Sequence, residues 1–299
     1  MKKLFLDVTF ATLCAALLAA CGGDSGSSAD SLDESSSSSE MDGAESSASA
    51  EPESSGSEGV EGSSASVPGG SSDASVYDAD KNTLKDLRDG QTYKTTTIDI
   101  PSENYSEVWM ARNLNYAYTG VPFDNGYYTS DSTSWCYDNV PANCAKYGRL
   151  YTWAAAMDSV GEWSTNGKGC GYGKECSATS PVRGVCPKGW HLPSQSEWEA
   201  LFTAVGGSLT AGSKLKSATG WSSSGNGTDT FGFSALPAGY RDFNGYYTNE
   251  GNDAYFWSST ELGSYGYGAY YMNLDYLDDG AGLNDYNKYN GFSVRCLKD

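Results

Sequence analysis

The stretch WHLPSQSEWEALFTAVGG, residues 190–207, carries the clearest helix signal of the chain. Ser194 and Glu197 have the spacing of a capping box, in which each side chain satisfies a free backbone N–H at the other position. The apolar residues that follow recur at i, i+3, i+4 and i+7 and share one helix face: Trp198, Leu201, Phe202 and Val205. A Gly-Gly pair then stands where a helix C-cap is expected. The pattern predicts an amphipathic helix that begins after Ser194.

Short segments rich in β-forming residues lie on both sides of this helix. Before it, strands are predicted at residues 91–100 and 108–114, and residues 148–158 end in a short helix at 153–157. After it, four strands are predicted, at residues 231–236, 255–260, 269–276 and 292–297. The polar stretch 237–254 is predicted to be a loop, and loops longer than about 12 residues are usually functional or disordered. Two short helices and a set of antiparallel strands, with the N- and C-terminal strands paired, indicate an α+β domain.

The N-terminus has the pattern of a lipoprotein signal peptide. A basic start at Lys2 and Lys3 precedes a short apolar stretch that ends in the lipobox Leu-Ala-Ala-Cys, residues 18–21. The apolar stretch is shorter than the roughly 20 residues that a membrane-spanning helix needs. The pattern predicts that residues 1–20 are removed and that Cys21 is lipidated, which would anchor the protein outside the cytoplasm. The predicted location is the cell envelope, at the outer membrane or the cell surface. An ordinary cleaved signal or a chance apolar start is the alternative.

Residues 21–82 have the composition of a disordered tether. They are mostly Ser, Gly, Ala, Glu and Asp, with no aromatic residue before Tyr77 and no basic residue before Lys81. Such a segment cannot bury enough apolar surface to offset the entropy that it would lose on ordering. We expect it to hold the folded domain, residues 83–299, away from the membrane. An acidic tail that binds a partner is the alternative interpretation.

The chain is strongly acidic, with a formal net charge of -19 at pH 7. Nucleic-acid phosphates require a basic surface, so this charge excludes nucleic acid as a partner. An acidic surface instead favours solubility and is compatible with divalent cations.

Six cysteines follow the predicted lipidation site: Cys136, Cys144, Cys170, Cys176, Cys186 and Cys296. An even number in an exported domain indicates disulfides, although the number alone leaves the pairing open. We expect the first to pair with the second and the third with the fourth, each closing a short, turn-rich loop. Cys186 is expected to pair with Cys296, and this long loop would stabilise the domain by roughly 4 to 5 kcal/mol in the chain-entropy model. Zinc is disfavoured, because the sequence has no C-x-x-C pair.

Seven motifs spread over about residues 85–299 belong together. They are DGQTYK (89–94), WMARNLN (109–115), CYDNVPANC (136–144), YGRLYTW (147–153), GVCPKGWHLP (184–193), YFWSST (255–260) and GFSVRC (291–296). The series closely resembles the Fibrobacter succinogenes major paralogous domain family, whose members also have the lipobox and the Ser-rich tether. That family has no assigned activity, so the resemblance implies a fold and not a reaction.

A more distant resemblance is to the C-type-lectin-like fold and its formylglycine-generating-enzyme branch. Residues 191–198 are similar to the start of a helix in that branch, and residues 291–295 to its closing strand. The resemblance implies a compact domain with paired termini and long loops as the ligand face. The reactive late cysteine pair of the oxidase is missing, since Cys296 is the one late cysteine. The sugar-binding tripeptides W-N-D and E-P-N of calcium-dependent lectins are missing as well.

The residues give little support to catalysis, and we expect no enzymatic activity. His191 is the single histidine, beside a predicted helix cap, and is interpreted as structural. The sequence has no H-E-x-x-H zinc site, no G-x-S-x-G elbow and no phosphate-binding glycine loop.

The candidate ligand residues come from the polar stretch after the helix: Tyr240, Asp242, Asn244, Tyr246, Tyr247, Asn252 and Asp253. Aromatic rings can stack on the C–H faces of sugars while amides and carboxylates bind the hydroxyl groups, and tyrosine also suits protein interfaces. This stretch and residues 275–285 also supply the oxygen ligands that Ca²⁺ prefers. Ordinary turns use the same residue types. Ca²⁺ is therefore the one cofactor that the sequence leaves open.

These observations predict a membrane-anchored lipoprotein that presents a disulfide-stapled, non-catalytic binding module. Its predicted ligand is a polysaccharide or a surface partner. A structural or assembly component of the cell envelope, which docks a protein partner, is the second interpretation. An enzyme of the formylglycine-generating type is the third.

Overall fold

The computed structural model describes residues 72–118, 134–263 and 265–299. The predicted signal peptide, Cys21 and residues 21–71 of the predicted tether lie outside the described residues. The remaining chain alternates strands and short helices. The strands are β1 Ser75–Asp78, β2 Thr83–Asp86, β3 Thr92–Ile100, β4 Tyr105–Met110, β5 Ser134–Trp135, β6 Leu150–Tyr151, β7 Trp190–His191, β8 Ala238–Arg241, β9 Tyr247–Glu250, β10 Asp253–Leu262, β11 Gly268–Asp275, β12 Gly282–Asn287, β13 Phe292–Ser293 and β14 Leu297–Lys298. The α-helices are α1 Pro141–Tyr147, α2 Trp153–Ala156, α3 Gln195–Ala204 and α4 Ser208–Leu215.

The strands form two sheets, and the α+β class is confirmed. The first sheet has the order β1-β2-β3-β4-β14-β7, and the second has the order β12-β11-β10-β13-β6-β5, with β8 and β9 attached beside β10. Strand β14 lies between β4 and β7, with Leu297 opposite Trp109 on one side and His191 on the other. The predicted pairing of an N-terminal with a C-terminal strand is thus confirmed.

Strand β1 falls within the residues predicted as tether and pairs antiparallel with β2. The ring of Tyr77 in this strand contacts Trp190 edge-on, with the ring centroids 5.8 Å apart. Tyr77, the first aromatic residue after the acidic stretch, thus packs against a core residue. The ordered domain therefore begins before residue 83, its predicted start.

The helix after Pro193 is confirmed together with its cap. The Ser194 hydroxyl accepts a hydrogen bond from the Glu197 backbone N–H, and the Glu197 carboxylate accepts one from the Ser194 backbone N–H. The short helix at residues 153–157 is confirmed as α2. The prediction of two helices is corrected, because the described residues contain two more, α1 and α4.

Helix α4 escaped the sequence analysis because Gly212 lies in its middle. A Cβ atom at this position would come within 1.9 Å of the Gly280 carbonyl oxygen, so the close approach of the neighbouring loop requires glycine. Helix α1 begins with Pro141 at its first turn, where proline is tolerated.

Three of the strand predictions need correction. The strand predicted at 292–297 is divided into β13 and β14. The strand predicted at 108–114 lies at Tyr105–Met110. The strand predicted at 231–236 is absent from the described structure, where Ala235 makes only an isolated bridge to Lys216. The carbonyl groups of Phe233 and Ser234 accept hydrogen bonds from the Arg295 guanidinium, so a side chain replaces the expected neighbouring strand.

The predicted loop 237–254 is a β-hairpin of β8 and β9. Gly239 makes this hairpin possible, because it has φ +62° and a Cβ there would lie 2.2 Å from the Thr248 carbonyl oxygen. The hairpin was predicted to be a loop because its residues are mostly polar.

Two clusters of apolar side chains form the core. The first contains Trp153, Trp190 and Trp257. The second contains Trp109 and Trp198, whose ring centroids are 4.8 Å apart. The sequence predicts core positions for these five tryptophans, because each lies within a regular segment, and all five are at most 1 % exposed.

The three predicted disulfides are confirmed: Cys136–Cys144, Cys170–Cys176 and Cys186–Cys296. The long bridge joins positions 110 residues apart and places the chain after β13 against the middle of the domain.

Candidate functional site

One tyrosine from each of four neighbouring strands forms a row across the second sheet. The residues are Tyr240 in β8, Tyr255 in β10, Tyr271 in β11 and Tyr286 in β12. Successive ring centroids are 5.1, 5.6 and 6.5 Å apart. The two end rings, Tyr240 and Tyr286, are also 6.5 Å apart, so the row curls into one compact patch. Side chains at paired and diagonal positions of a sheet share a face, and these contacts place the rings together. We call this surface the tyrosine face.

Two buried aromatic side chains pack against the row. The ring of Phe292 stacks on Tyr255 at 5.1 Å and lies 4.9 Å from Tyr271. Trp257 lies 4.3 Å from Phe292 and is fully buried. Three tyrosines of the row are half-buried, and Tyr286 is 44 % exposed. Three rings of the row thus pack against the core, and Tyr286 is the exposed one.

Amide and carboxylate groups lie beside the rings. The Asp253 carboxylate accepts hydrogen bonds from the Tyr255 hydroxyl at 2.8 Å and from the Asn249 amide at 2.5 Å. Asn273 is paired with Tyr255 across β10 and β11, and Asn284 is paired with Tyr271 across β11 and β12. The Asn284 amide donates to Asn273 Oδ1 at 2.8 Å. Hydrogen-bonding groups therefore alternate with the rings.

Burial sets the protonation of this surface. It raises the pKa of Tyr271 to about 12 and also raises the pKa of Tyr240. Burial raises the pKa of the Asp253 carboxyl, while the hydrogen bonds from Tyr255 and Asn249 act in the opposite direction. The raised pKa keeps the hydroxyl groups of Tyr240 and Tyr271 neutral at physiological pH, so each can both donate and accept a hydrogen bond.

A recess of about 590 Å³ adjoins the row at Tyr286. Its walls include Tyr265, Tyr267 and Asp285. The Tyr265 ring is 84 % exposed and the Tyr267 ring 50 % exposed. The aromatic surface thus continues from Tyr286 to Tyr265 and Tyr267.

The structure separates the residues predicted as one ligand site. Tyr240 and Asp253 lie on the tyrosine face. Asn252 lies just before β10. Its carbonyl accepts a hydrogen bond from the Tyr276 backbone N–H. The site residues at the base of the hairpin are therefore divided between the face and its border.

The predicted site residues at the hairpin tip form a turn. Asp242 Oδ1 accepts hydrogen bonds from the backbone N–H groups of Asn244 and Tyr246, at 2.9 and 2.8 Å. Tyr247 projects away from the tyrosine face. Its ring lies 5.2 Å from Tyr137, and its hydroxyl donates to Asn139 Oδ1 at 2.9 Å.

Five members of the face were not among the predicted ligand residues: Tyr255, Tyr271, Asn273, Asn284 and Tyr286. The signal was present as period-two alternation, Tyr271-Met-Asn273 in β11 and Asn284-Asp-Tyr286 in β12. Residues at i and i+2 of a strand share a face. The register that aligns the two pairs is not visible in the local sequence.

Two carboxylates of the stretch 275–285, which was considered for Ca²⁺, accept hydrogen bonds from turn backbone N–H groups. Asp275 Oδ1 accepts the Leu277 backbone N–H, and Asp278 Oδ1 accepts that of Gly280. Residues 72–118, 134–263 and 265–299 contain no group of at least three side chains suited to hold a metal ion.

His191 lies away from the face, in β7, and is 6 % exposed. Its Nε2 is 3.0 Å from the Glu197 carboxylate, and its Nδ1 is 2.8 Å from that of Asp299. Burial acts to lower the pKa of His191, but the hydrogen bonds to the two carboxylates outweigh it and raise the pKa. These contacts fit a structural role.

The helices of the described segments are all too short or too polar to cross a membrane. A family model described as the Fibrobacter succinogenes major domain matches residues 105–298. No curated protein matches the chain. No solved structure matches it either.

Proposed function

The chain belongs to the Fibrobacter succinogenes major domain family, as the sequence motifs indicated, and we propose that its tyrosine face binds polysaccharide. The row of four rings, one from each of four adjacent strands, carries this proposal. Because Tyr240 and Tyr286 are 6.5 Å apart, the four rings form one compact aromatic patch. Such a patch can stack on a sugar unit of a polysaccharide chain.

The polar groups of the face supply the second part of sugar recognition. Rings stack on the apolar C–H faces of a sugar, whereas Asp253, Asn273 and Asn284 can bond its hydroxyl groups. The rings are already held by Phe292 and by one another. Binding therefore costs little side-chain ordering, and preorganised surfaces bind more tightly for that reason.

We further propose that the module is a lipoprotein of the cell envelope. In this account residues 1–20 are the signal peptide, Cys21 carries the lipid, and the acidic segment after it acts as a tether. The three disulfides are compatible with a compartment outside the cytoplasm. A C-type-lectin-like arrangement of the domain belongs to the same proposal and is supported by the position of β14 between β4 and β7.

The proposed module is non-catalytic. A formylglycine-generating type of oxidase needs a reactive thiol, and the six cysteines after Cys21 all form disulfides. This engagement argues against the enzyme interpretation. Thiol labelling of the folded protein is expected to find no free thiol among these six.

The test is retention of the full chain, carrying Cys21→Ser to prevent lipidation, on cellulose, xylan, chitin and starch. We expect retention on at least one polysaccharide, and about a tenfold loss for Tyr286→Ala, which removes the most exposed ring of the row. Tyr246→Ala is the matched control, because that ring is 72 % exposed but lies at the hairpin tip. Retention that is lost in EDTA would assign a Ca²⁺-dependent mode. Equal losses for the two variants would contradict the assignment to the tyrosine face.

A second candidate function is docking of an envelope protein. The observation that favours it is the group of exposed aromatic side chains outside the row, with Tyr246 72 % and Tyr265 84 % exposed. Aromatic residues are enriched at the energetic centres of interfaces. Absence of retention on all four polysaccharides, together with one cross-linked protein partner recovered from envelopes, would favour this function over the first.

A further inference from the structure

A second recess, of about 620 Å³, lies on a different part of the domain. Its walls come from β3, the segment after β4, α1 and residues 217–236, and Arg295 also lines it. It shares no residue with the tyrosine face. A volume between about 300 and 1,000 Å³ is typical of small-molecule sites.

A buried cation lies in the wall of this recess. Arg295 is 1 % exposed, and its Nε and Nη2 donate to Asn113 Oδ1 at 3.1 and 2.8 Å. It also donates to the carbonyl oxygens of Phe233 and Ser234. All these acceptors are neutral. A buried charge is costly unless an opposite charge compensates it.

The rim of the recess is basic as well. Lys94, Arg112 and Lys146 line it and are exposed. Lys146 Nζ lies 3.6 Å from the Glu250 carboxylate. Arg112 donates one hydrogen bond to the Ala145 carbonyl oxygen. The chain as a whole has 38 acidic and 19 basic residues. A recess lined by four cations therefore has a charge opposite in sign to that of the whole protein.

One carboxylate, that of Asp229, lines the recess, and it is already occupied. It accepts hydrogen bonds from the Ser234 backbone N–H at 2.7 Å and from the Ser234 hydroxyl at 2.5 Å. Burial lowers the pKa of Arg295 to about 9, against the attraction of Asp229. The guanidinium therefore stays charged at neutral pH, and the cations of the recess outnumber its anion.

The remaining lining is polar and neutral. Gln91, Asn115 and Thr219 supply amide and hydroxyl groups, and the Asn115 amide donates a hydrogen bond to Gln91 Oε1 at 2.8 Å. Such groups bind hydroxyl-bearing ligands, whereas the cations bind an anionic group, and charge-assisted hydrogen bonds are the stronger kind. A ligand that satisfies both sets carries hydroxyl groups and a carboxylate on one small body.

We propose that this recess binds a carboxylated sugar of the size of one hexuronate, with its carboxylate directed to the cations. The site goes beyond the polysaccharide function of the tyrosine face and does not depend on it. The carboxylate would meet the rim cations Lys94, Arg112 and Lys146 in the electric field of Arg295. The sugar hydroxyls would face the amide and hydroxyl groups of the wall.

The test is calorimetric titration of the full Cys21→Ser chain with glucuronate, glucose, acetate and phosphate. We expect glucuronate to bind at least about tenfold more tightly than glucose, acetate or phosphate, and its affinity to fall as salt is added. Acetate or phosphate binding as tightly as glucuronate would overturn the sugar part of the proposal, because an anion alone would then suffice. Equal binding of glucose and glucuronate would overturn the role of the cations.

The matched variants are Lys94→Gln with Lys146→Gln, and Lys85→Gln as control. The first pair removes two exposed rim charges and is expected to weaken glucuronate about tenfold at unchanged Tm. Lys85 is exposed on β2 outside the recess, so its variant is expected to bind as the parent does. An unchanged affinity in the double variant would overturn the proposal. Tyr286→Ala is expected to leave glucuronate binding intact, which separates this test from that of the tyrosine face.

Discussion

The tyrosine face and the basic recess are built in different ways, although the recess beside the face and the basic recess have similar volumes. The recess beside the face measures about 590 Å³ and the basic one about 620 Å³. The face is formed by neighbouring strands of one sheet, and its aromatic side chains follow from strand register. The basic recess is formed by segments far apart in sequence, such as Asn113 and Arg295, which are 182 residues apart. The register of neighbouring strands thus forms the first site, and contacts between segments distant in sequence form the second.

The largest expected effect comes from opening the long disulfide. Cys186→Ser with Cys296→Ser is expected to lower the free energy of unfolding by about 4 to 5 kcal/mol, because the bridge closes a loop of 110 residues. The same change at Cys136 and Cys144 is the control, with an expected loss of about 2.5 kcal/mol for its short loop. Urea unfolding measures both. Because Arg295 is next to Cys296, the first variant should lose glucuronate binding at a lower urea concentration than polysaccharide retention. Loss of both at the same urea concentration would contradict the contrast between the two sites.

The next effect concerns the buried cation itself. Arg295→Met is expected to cost about 3 kcal/mol of unfolding free energy, since Asn113 Oδ1 and the carbonyl oxygens of Phe233 and Ser234 would lose their donor. Arg112→Gln, at the exposed rim, is expected to change stability by less than about 0.5 kcal/mol. Similar unfolding midpoints for the two variants would show that Arg295 does not hold the recess together.

A smaller effect is expected at His191, which ties α3 to β14 outside both sites. Its pKa is raised in the folded state, so its contribution is fully present below the unfolded pKa, about 6.5, and is lost as pH rises through the folded value. We expect His191→Gln to be less stable than the parent by about 1 kcal/mol at low pH, with the difference shrinking at higher pH. Melting temperatures of both proteins from about pH 5 to about pH 9 measure this. A constant difference would mean that the ionised pair with Glu197 and Asp299 does not contribute.

The smallest expected effect is that of Tyr286→Ala, which is compared with Tyr255→Ala in the same face. Tyr286→Ala is expected to change stability by less than about 1 kcal/mol, because the ring is 44 % exposed. Tyr255→Ala is expected to cost about 3 kcal/mol, since that ring stacks on Phe292 and its hydroxyl bonds Asp253. Thermal unfolding of the two variants is the measurement. Equal losses would mean that the row is a uniform part of the core and not an open surface.

Local signals in the sequence predicted a substantial part of the frame. The capping box of Ser194 and Glu197 located α3, and the spacing of the cysteines suggested the pairing that the structure has. The tryptophans were placed in the core because each lies within a regular segment. These features depend on neighbours in sequence or on strong general tendencies of single residue types.

The two sites depend on information that the local sequence does not contain. Tyr240 and Asp253 were predicted as ligand residues, but the rest of the predicted group forms the turn at the hairpin tip or lies on its other side. The row of rings requires the register of β10 with β11 and of β11 with β12. The basic recess requires Arg295 to replace a neighbouring strand at Phe233 and Ser234, which no local pattern reveals.

The most direct test of the polysaccharide-binding face is tyrosine footprinting on the retaining polysaccharide. The full Cys21→Ser chain is nitrated free and bound, and modification of each tyrosine is measured by mass spectrometry. Tyr286 and Tyr246 are 44 % and 72 % exposed, so both rings should react in the free protein. We predict that bound polysaccharide protects Tyr286 and leaves Tyr246 reactive. Protection of Tyr246 with Tyr286 still reactive would contradict the account.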